Sequence, residues 1–181
     1  MTKITISGTP GSGKSIVAKK LCEKLNLKYY DLGKIRRKIA DKHNITLAEL
    51  NKIGETEDWT DKEPDNEMFR IGKEEDSFIF VGRLAYHFIP NSIKIFLKCT
   101  LEEGAKRILN DNDESRKSEN YSSLKKMTEK IKEREKSDLK RYKQYYNINY
   151  LDKNNYDLII DTTNLTIDRV IKKIINFIEH N

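Results

Sequence analysis

The stretch that most constrains this chain lies at its start, where Lys3-Ile4-Thr5-Ile6-Ser7 runs into Gly8-Thr9-Pro10-Gly11-Ser12-Gly13-Lys14-Ser15. The first five residues alternate apolar with polar and are rich in β-branched side chains, which predicts a strand. The next eight satisfy G-x-x-x-x-G-K-[ST], the phosphate-binding P-loop pattern. Val17, Leu21 and Leu25 then recur at helical spacing, so the motif sits between a strand and a helix. In that setting the glycines let backbone N–H groups converge on a phosphate, and the helix N-terminus adds a favourable dipole. Residues 8–16, Ile16 included, are thereby the candidate site for a nucleoside triphosphate. Lys14 is placed to reach the β- and γ-phosphates, and the Ser15 hydroxyl to hold Mg²⁺.

At 181 residues the chain is long enough for one full domain with a real core. Charged residues make up 35% of it, yet its apolar segments are periodic, as in a globular protein rather than a disordered one. No apolar run approaches 18 residues and no signal-peptide core precedes the first strand, so a cytoplasmic protein that does not enter membranes is expected. Cys22 and Cys99 lack metal or redox spacing and read as reduced, small apolar groups. The net charge of +6 suits anionic ligands, but basic residues are interleaved with acidic ones, which argues against a nucleic-acid face.

Further strands are predicted at Leu27–Asp31, Phe78–Val81, Ile93–Leu97 and Leu158–Ile160, with helical patterns between them. Thr46 to Glu49 matches a capping box. Residues 54–75 are polar with little clear periodicity and read as part of a small helical lobe inserted between two strands. A long helix is expected from about 122 to 146, and a closing helix carries Ile167, Val170, Ile171, Ile174, Ile175 and Ile178. Strands alternating with helices predict an α/β fold with a parallel sheet wound on both faces.

Ligands of such sheets sit at the carboxyl ends of the strands. This gathers the P-loop, Asp31, Gly33, Gly82, Arg83 and Asp161 to Thr163 around one cleft. Arg36 and Arg37 face the same cleft or belong to a solvated helix face; Arg83, fixed after a buried strand, belongs to the cleft. On the long helix Arg134, Asp138 and Arg141 interrupt an apolar stripe at i, i+4 and i+7. They form either an internal ion-pair ladder or a site for a polar ring with a phosphate nearby. Arg107 and the loop residue Arg116 are candidate catalytic groups, able to neutralise a transferring phosphoryl group, although Arg116 also has acidic neighbours to balance.

The P-loop, Tyr30-Asp31-Leu32-Gly33-Lys34-Ile35-Arg36-Arg37, Gly82-Arg83-Leu84-Ala85, the Arg134–Asp138–Arg141 set and Asp157 to Thr163 resemble, in this order, cytidylate kinases of the archaeal type. The resemblance runs nearly end to end. It implies a P-loop three-layer α/β/α fold with a five-stranded parallel sheet as the core (1–32, 76–109 and 121–181). It further implies a nucleoside-monophosphate (NMP)-binding insertion over 33–75 and a short LID over about 110–120. The implied reaction moves the γ-phosphoryl of ATP to CMP or dCMP with Mg²⁺, in a monomer. Arg37, Gly33, Gly82 and Arg83 match the monophosphate site, and Arg134, Asp138 and Arg141 match the helix that reads cytosine and its sugar phosphate, with Asp138 near the base amino group. Three positions depart from the pattern: Val81 stands where an acid usually precedes G-R, Leu32 where a small or hydroxyl residue is common, and Arg36 in place of an aromatic. The alternatives are a kinase for AMP, UMP or another small metabolite, or a nucleotide-binding regulatory module that does not turn over.

Overall fold

A computed structural model of the chain describes residues 1–111 and 123–180. Its elements alternate as the sequence predicts. Strands β1 (Lys3–Gly8), β2 (Lys28–Asp31), β3 (Phe78–Val81), β4 (Ile93–Lys98) and β5 (Leu158–Asp161) pair in the order β2-β3-β1-β4-β5, all parallel. Helix α1 (Lys14–Leu25) joins β1 to β2, and α2 (Leu32–Lys42), α3 (Leu47–Ile53) and α4 (Trp59–Glu74) are inserted before β3. Then come α5 (Ala85–Phe88), α6 (Leu101–Leu109), α7 (Leu124–Tyr146) and α8 (Ile167–Glu179).

Side-chain alternation along the strands builds the two faces. Ile79 and Val81 of β3 and Ile95 and Leu97 of β4 join Val17, Leu21, Val170 and Ile174 in a layer under α1 and α8. On the opposite face Phe78 and Phe80 pack with Met68, Ile71 and Ile89, and Phe96 packs with Tyr142 and Tyr150. The result is a three-layer α/β/α sandwich. The central strand β1 has β3 on one side and β4 on the other, so the chain reverses its winding where the P-loop leaves the sheet.

The capping box at Thr46 forms as expected, with Glu49 bonding back to the Thr46 backbone. Two features that the sequence left open are resolved in the fold. Residues 59–74 form one continuous helix, because its inward face is partly polar: Thr60, Asp61, Pro64 and Asp65 are buried beside Met68 and Ile71. Arg36, which the sequence leaves between the cleft and a solvated helix face, is buried. Among the described residues no helix is long and apolar enough to cross a membrane.

Candidate active site

The P-loop owes its shape to close backbone packing against the next strand and helix. Gly8 has φ 147°, and a Cβ there would lie 1.9 Å from the Leu97 carbonyl oxygen. Gly11 has φ 72° and rests on Gly104 of α6, where a Cβ would come within 2.3 Å of the Gly104 oxygen. Both positions therefore admit only glycine. Thr9 ties the loop to β4 through its N–H to the Leu97 oxygen (3.0 Å) and accepts the Cys99 N–H on its hydroxyl (3.1 Å). Lys14 Nζ and Ser12 Oγ donate to the Thr9 carbonyl at 2.6 and 2.8 Å. Pro10 lies in the turn, and Ile16 is 45% exposed on the first turn of α1.

Beside this loop the Ser15 hydroxyl donates to Asp31 Oδ2 (3.1 Å), and the Tyr29 hydroxyl donates to the same oxygen (2.6 Å). Asp31 Oδ1 accepts the Lys34 N–H (3.3 Å), capping α2. Gly33 follows in the first turn, with the half-buried Arg37 guanidinium over it. Arg37 makes no hydrogen bond or ion pair with any described residue. A guanidinium left without a carboxylate at the mouth of a cleft suits an incoming anion.

Arg107 spans from the P-loop to the loop after β5. Its Nη1 meets the Gly11 oxygen (3.5 Å) and Thr162 Oγ1 (3.2 Å), and its Nη2 donates to the Thr162 and Thr163 carbonyls (2.8 and 3.0 Å). Thr162 in turn donates to the Ser12 carbonyl (3.1 Å). Arg116 and most of the expected LID lie outside the described residues.

Across the cleft stands a buried ladder of ion pairs. Arg36 Nη1 donates to Asp61 Oδ1 (2.9 Å), and Arg141 Nη1 reaches both Asp61 oxygens (2.5 Å each). Arg141 Nη2 donates to Asp138 Oδ1, and Arg83 Nη1 faces Asp138 Oδ2 at 2.6 Å. Burial alone would raise the Asp138 pKa, but Arg83, Arg134 and Arg141 outweigh it and hold the carboxyl below its usual range. Three guanidinium groups against two carboxylates leave the ladder one net positive charge. Arg83 Nε and Arg141 Nε, both buried, have no hydrogen-bond partner among the described residues. Gly82 accepts the Ser7 hydroxyl on its carbonyl (2.9 Å) and so fixes the turn that carries Arg83. Arg134 lies exposed one turn before Asp138.

Sequence reasoning missed Asp61 and Asn51, the partners of Arg36; Asn51 accepts from Arg36 Nη2 (3.0 Å). Their placement has a local cause. Pro64 has no N–H to give the Thr60 carbonyl one turn back, and Arg36 Nη1 takes that carbonyl instead (3.0 Å). The lobe is further tied to α7 by Ser137 and Lys140 on Glu55 (2.8 and 3.1 Å) and by the Tyr145 hydroxyl on the Gly54 carbonyl (2.7 Å).

A sequence model of the cytidylate kinase-like family matches residues 3–164, which take in both the P-loop and the ladder. The chain belongs to that family. A cytidylate kinase of Sulfurisphaera tokodaii is 38% identical over 179 residues, 96% of this chain and 95% of that one. One of Methanothrix thermoacetophila is 40% identical over 159 residues, 88% and 87% of the two chains. Among solved structures, a shikimate kinase of Bacteroides thetaiotaomicron superposes with a TM-score of 0.68 over 98% of both chains at 16% identity, a likeness of fold. Family membership makes the chain a nucleoside-monophosphate kinase. The donor set at its P-loop fits the metal such kinases use: a hydroxyl and a carboxylate, both hard oxygen donors, stand together at Ser15 and Asp31. Mg²⁺ is held in this way, by one or two protein oxygens plus substrate phosphates. Among the described residues no cluster of three or more His, Cys, Asp or Glu forms a separate metal cage.

Proposed function

We propose that the enzyme phosphorylates CMP and dCMP with ATP and Mg²⁺. The observation that carries this reading is the ladder itself: a buried, net positive Arg83–Asp138–Arg141 cluster opposite a P-loop, in a chain whose relatives are cytidylate kinases. A carboxylate held ionised below its usual range accepts hydrogen bonds well, as the exocyclic amino group of cytosine requires. The spare donors at Arg83 Nε and Arg141 Nε, with Arg37 and Arg134, suit the monophosphate and its sugar.

Little covalent work is asked of the protein, because the acceptor phosphate is already an anion. Positioning and charge stabilisation supply the rate. Lys14 leaves the Thr9 carbonyl for the β- and γ-phosphates, and backbone N–H groups of residues 8–16 cradle the rest of the triphosphate. Ser15 would hold Mg²⁺, which when bound would supply positive charge to offset that of the phosphates the acceptor must approach. For Arg107 to reach a transferring phosphoryl group it must give up the Thr162 and Thr163 carbonyls; in its present place it braces the nucleotide side of the cleft. Arg116 is assigned to the LID. In this scheme residues 33–75 bind the monophosphate, and the LID expected over about 110–120 lies almost wholly outside the described residues.

Release of ADP, measured with a panel of monophosphates, tests the assignment. CMP and dCMP are expected to surpass AMP and UMP by at least tenfold in kcat/KM. Equal rates would leave a broader monophosphate kinase, and no turnover with any acceptor would favour a regulatory module.

A further inference from the structure

In the sheet, Asp31 of β2 and Val81 of β3 are partners in register. Such partners on neighbouring parallel strands project to the same face, about 4.8 Å apart. Val81 packs into the layer under α1, so the Asp31 side chain emerges on that face too, beside the first turn of α1. There its two oxygens have separate tasks. Oδ1 caps α2 at Lys34, while Oδ2 receives the hydroxyls of Ser15 (3.1 Å) and Tyr29 (2.6 Å). Tyr29 is half-buried, and its hydroxyl donates to Asp31 from the same strand. Val81 itself offers the cleft no oxygen.

The geometry points to Asp31 as the carboxylate of the Mg²⁺ site, standing one strand over from the apolar Val81 and acting as a positioning residue through Ser15. The Ser15 O–H stays directed to Oδ2, which leaves the hydroxyl lone pairs for the ion, and the carboxylate adds a negative charge beside it. Tyr29 holds the carboxylate in that rotamer. This removes Asp31 from the monophosphate site, where its charge would repel a phosphate. The assignment rests on the phosphotransfer reading above.

The test is Asp31→Asn, because asparagine caps a helix as well as aspartate does and so separates the cap from the charge. Binding of a non-hydrolysable ATP analogue is measured by calorimetry in EDTA and in Mg²⁺, and Mn²⁺ binding to the complex by electron paramagnetic resonance. Affinity in EDTA is expected to stay within twofold, while metal affinity falls at least tenfold, the usual loss when an outer partner of a metal ligand is removed. Ser15→Ala is expected to match it. Unchanged Mn²⁺ affinity overturns the assignment, and so does an equal loss of analogue affinity in EDTA, which would make Asp31 a scaffold of the loop. If Asp31→Asn lowers the melting temperature markedly, Asp31→Ser, which also caps, carries the same measurements. Failure of the unaltered protein to bind the analogue at all would instead overturn the phosphotransfer reading, and this assignment with it.

Discussion

Around the P-loop the working geometry is set by backbone: glycines pressed against Leu97 and Gly104, carbonyls that collect Lys14, Ser12 and Arg107, and one short hydroxyl–carboxylate pair. On the α7 side it is set by long side chains from α2, α4, α7 and the turn after β3, which meet in a buried ladder. The first construction is local in sequence and tolerates loss of a side chain with little effect on folding. The second spans more than a hundred residues, and each of its charges exists in the interior only because its partners do. Substitutions should therefore separate the two sides: the ladder breaks stability first, and the loop breaks turnover first.

The largest effect is expected from Asp61→Ala. It leaves Arg36 and Arg141 buried without the carboxylate they share, and removal of one partner from a buried ion pair costs about 3–5 kcal/mol. Denaturant unfolding measures it. A loss below about 1 kcal/mol would mean that the ladder is hydrated in solution and that the contrast between the two sides is false.

Lys14→Ala comes next and should act in the opposite way. Loss of a preorganised charge at the transferring group lowers kcat by about 10²–10³, while unfolding should shift by less than about 0.5 kcal/mol, as for surface changes. Near-normal turnover would contradict the role given to the loop. Asp138→Asn sits between the two. It keeps the volume and removes the charge, so KM for CMP should rise on the order of thirtyfold, the value of a hydrogen bond to a charged group, with KM for ATP within twofold. An equal rise in both would make Asp138 purely structural.

The same contrast decides what the sequence could disclose. The P-loop is legible because its chemistry is written in eight consecutive residues, and the five strands are legible because buried parallel strands form short apolar runs. The ladder is half legible. Asp138 and Arg141 betray themselves by interrupting the apolar stripe of α7. Asp61 does not, because α4 turns a mixed face inward: residues 61, 64, 65, 68 and 71 keep helical spacing, but two of them are acids and one is proline. Counting only apolar residues hides that period; counting acids as inward-facing restores it. Arg36 was legible as a cleft candidate, but nothing near it chose burial over a solvated face, since that depends on a carbonyl freed by Pro64, twenty-eight residues away. Asp31 was legible as a cleft residue, but which ligand it serves turns on strand register.

Asp65 supplies the smallest and most specific test, because it lies at the edge of the ladder and is held differently from Asp138. Burial pushes its carboxyl up to about 7, with Asp61 adding to the rise, while the Tyr146 hydroxyl bonded to it and the charges of Arg36 and Arg141 pull the other way. Asp138, deeper but flanked by guanidinium groups, shifts downward instead. The sign for Asp65 follows. Its folded pKa exceeds its unfolded value, so between about pH 4 and 7 the unfolded chain has released a proton that the folded chain retains, and this group's contribution to stability falls as pH rises. Asp65→Asn keeps an acceptor for Tyr146 and removes the titration. The stability of the variant relative to the unaltered protein should therefore grow by about 2 kcal/mol from pH 5 to 7 and level off above 7, as read from unfolding curves at each pH. A constant difference across that range would mean that Asp65 is ionised throughout, and that the net positive charge of the ladder is already cancelled at its edge.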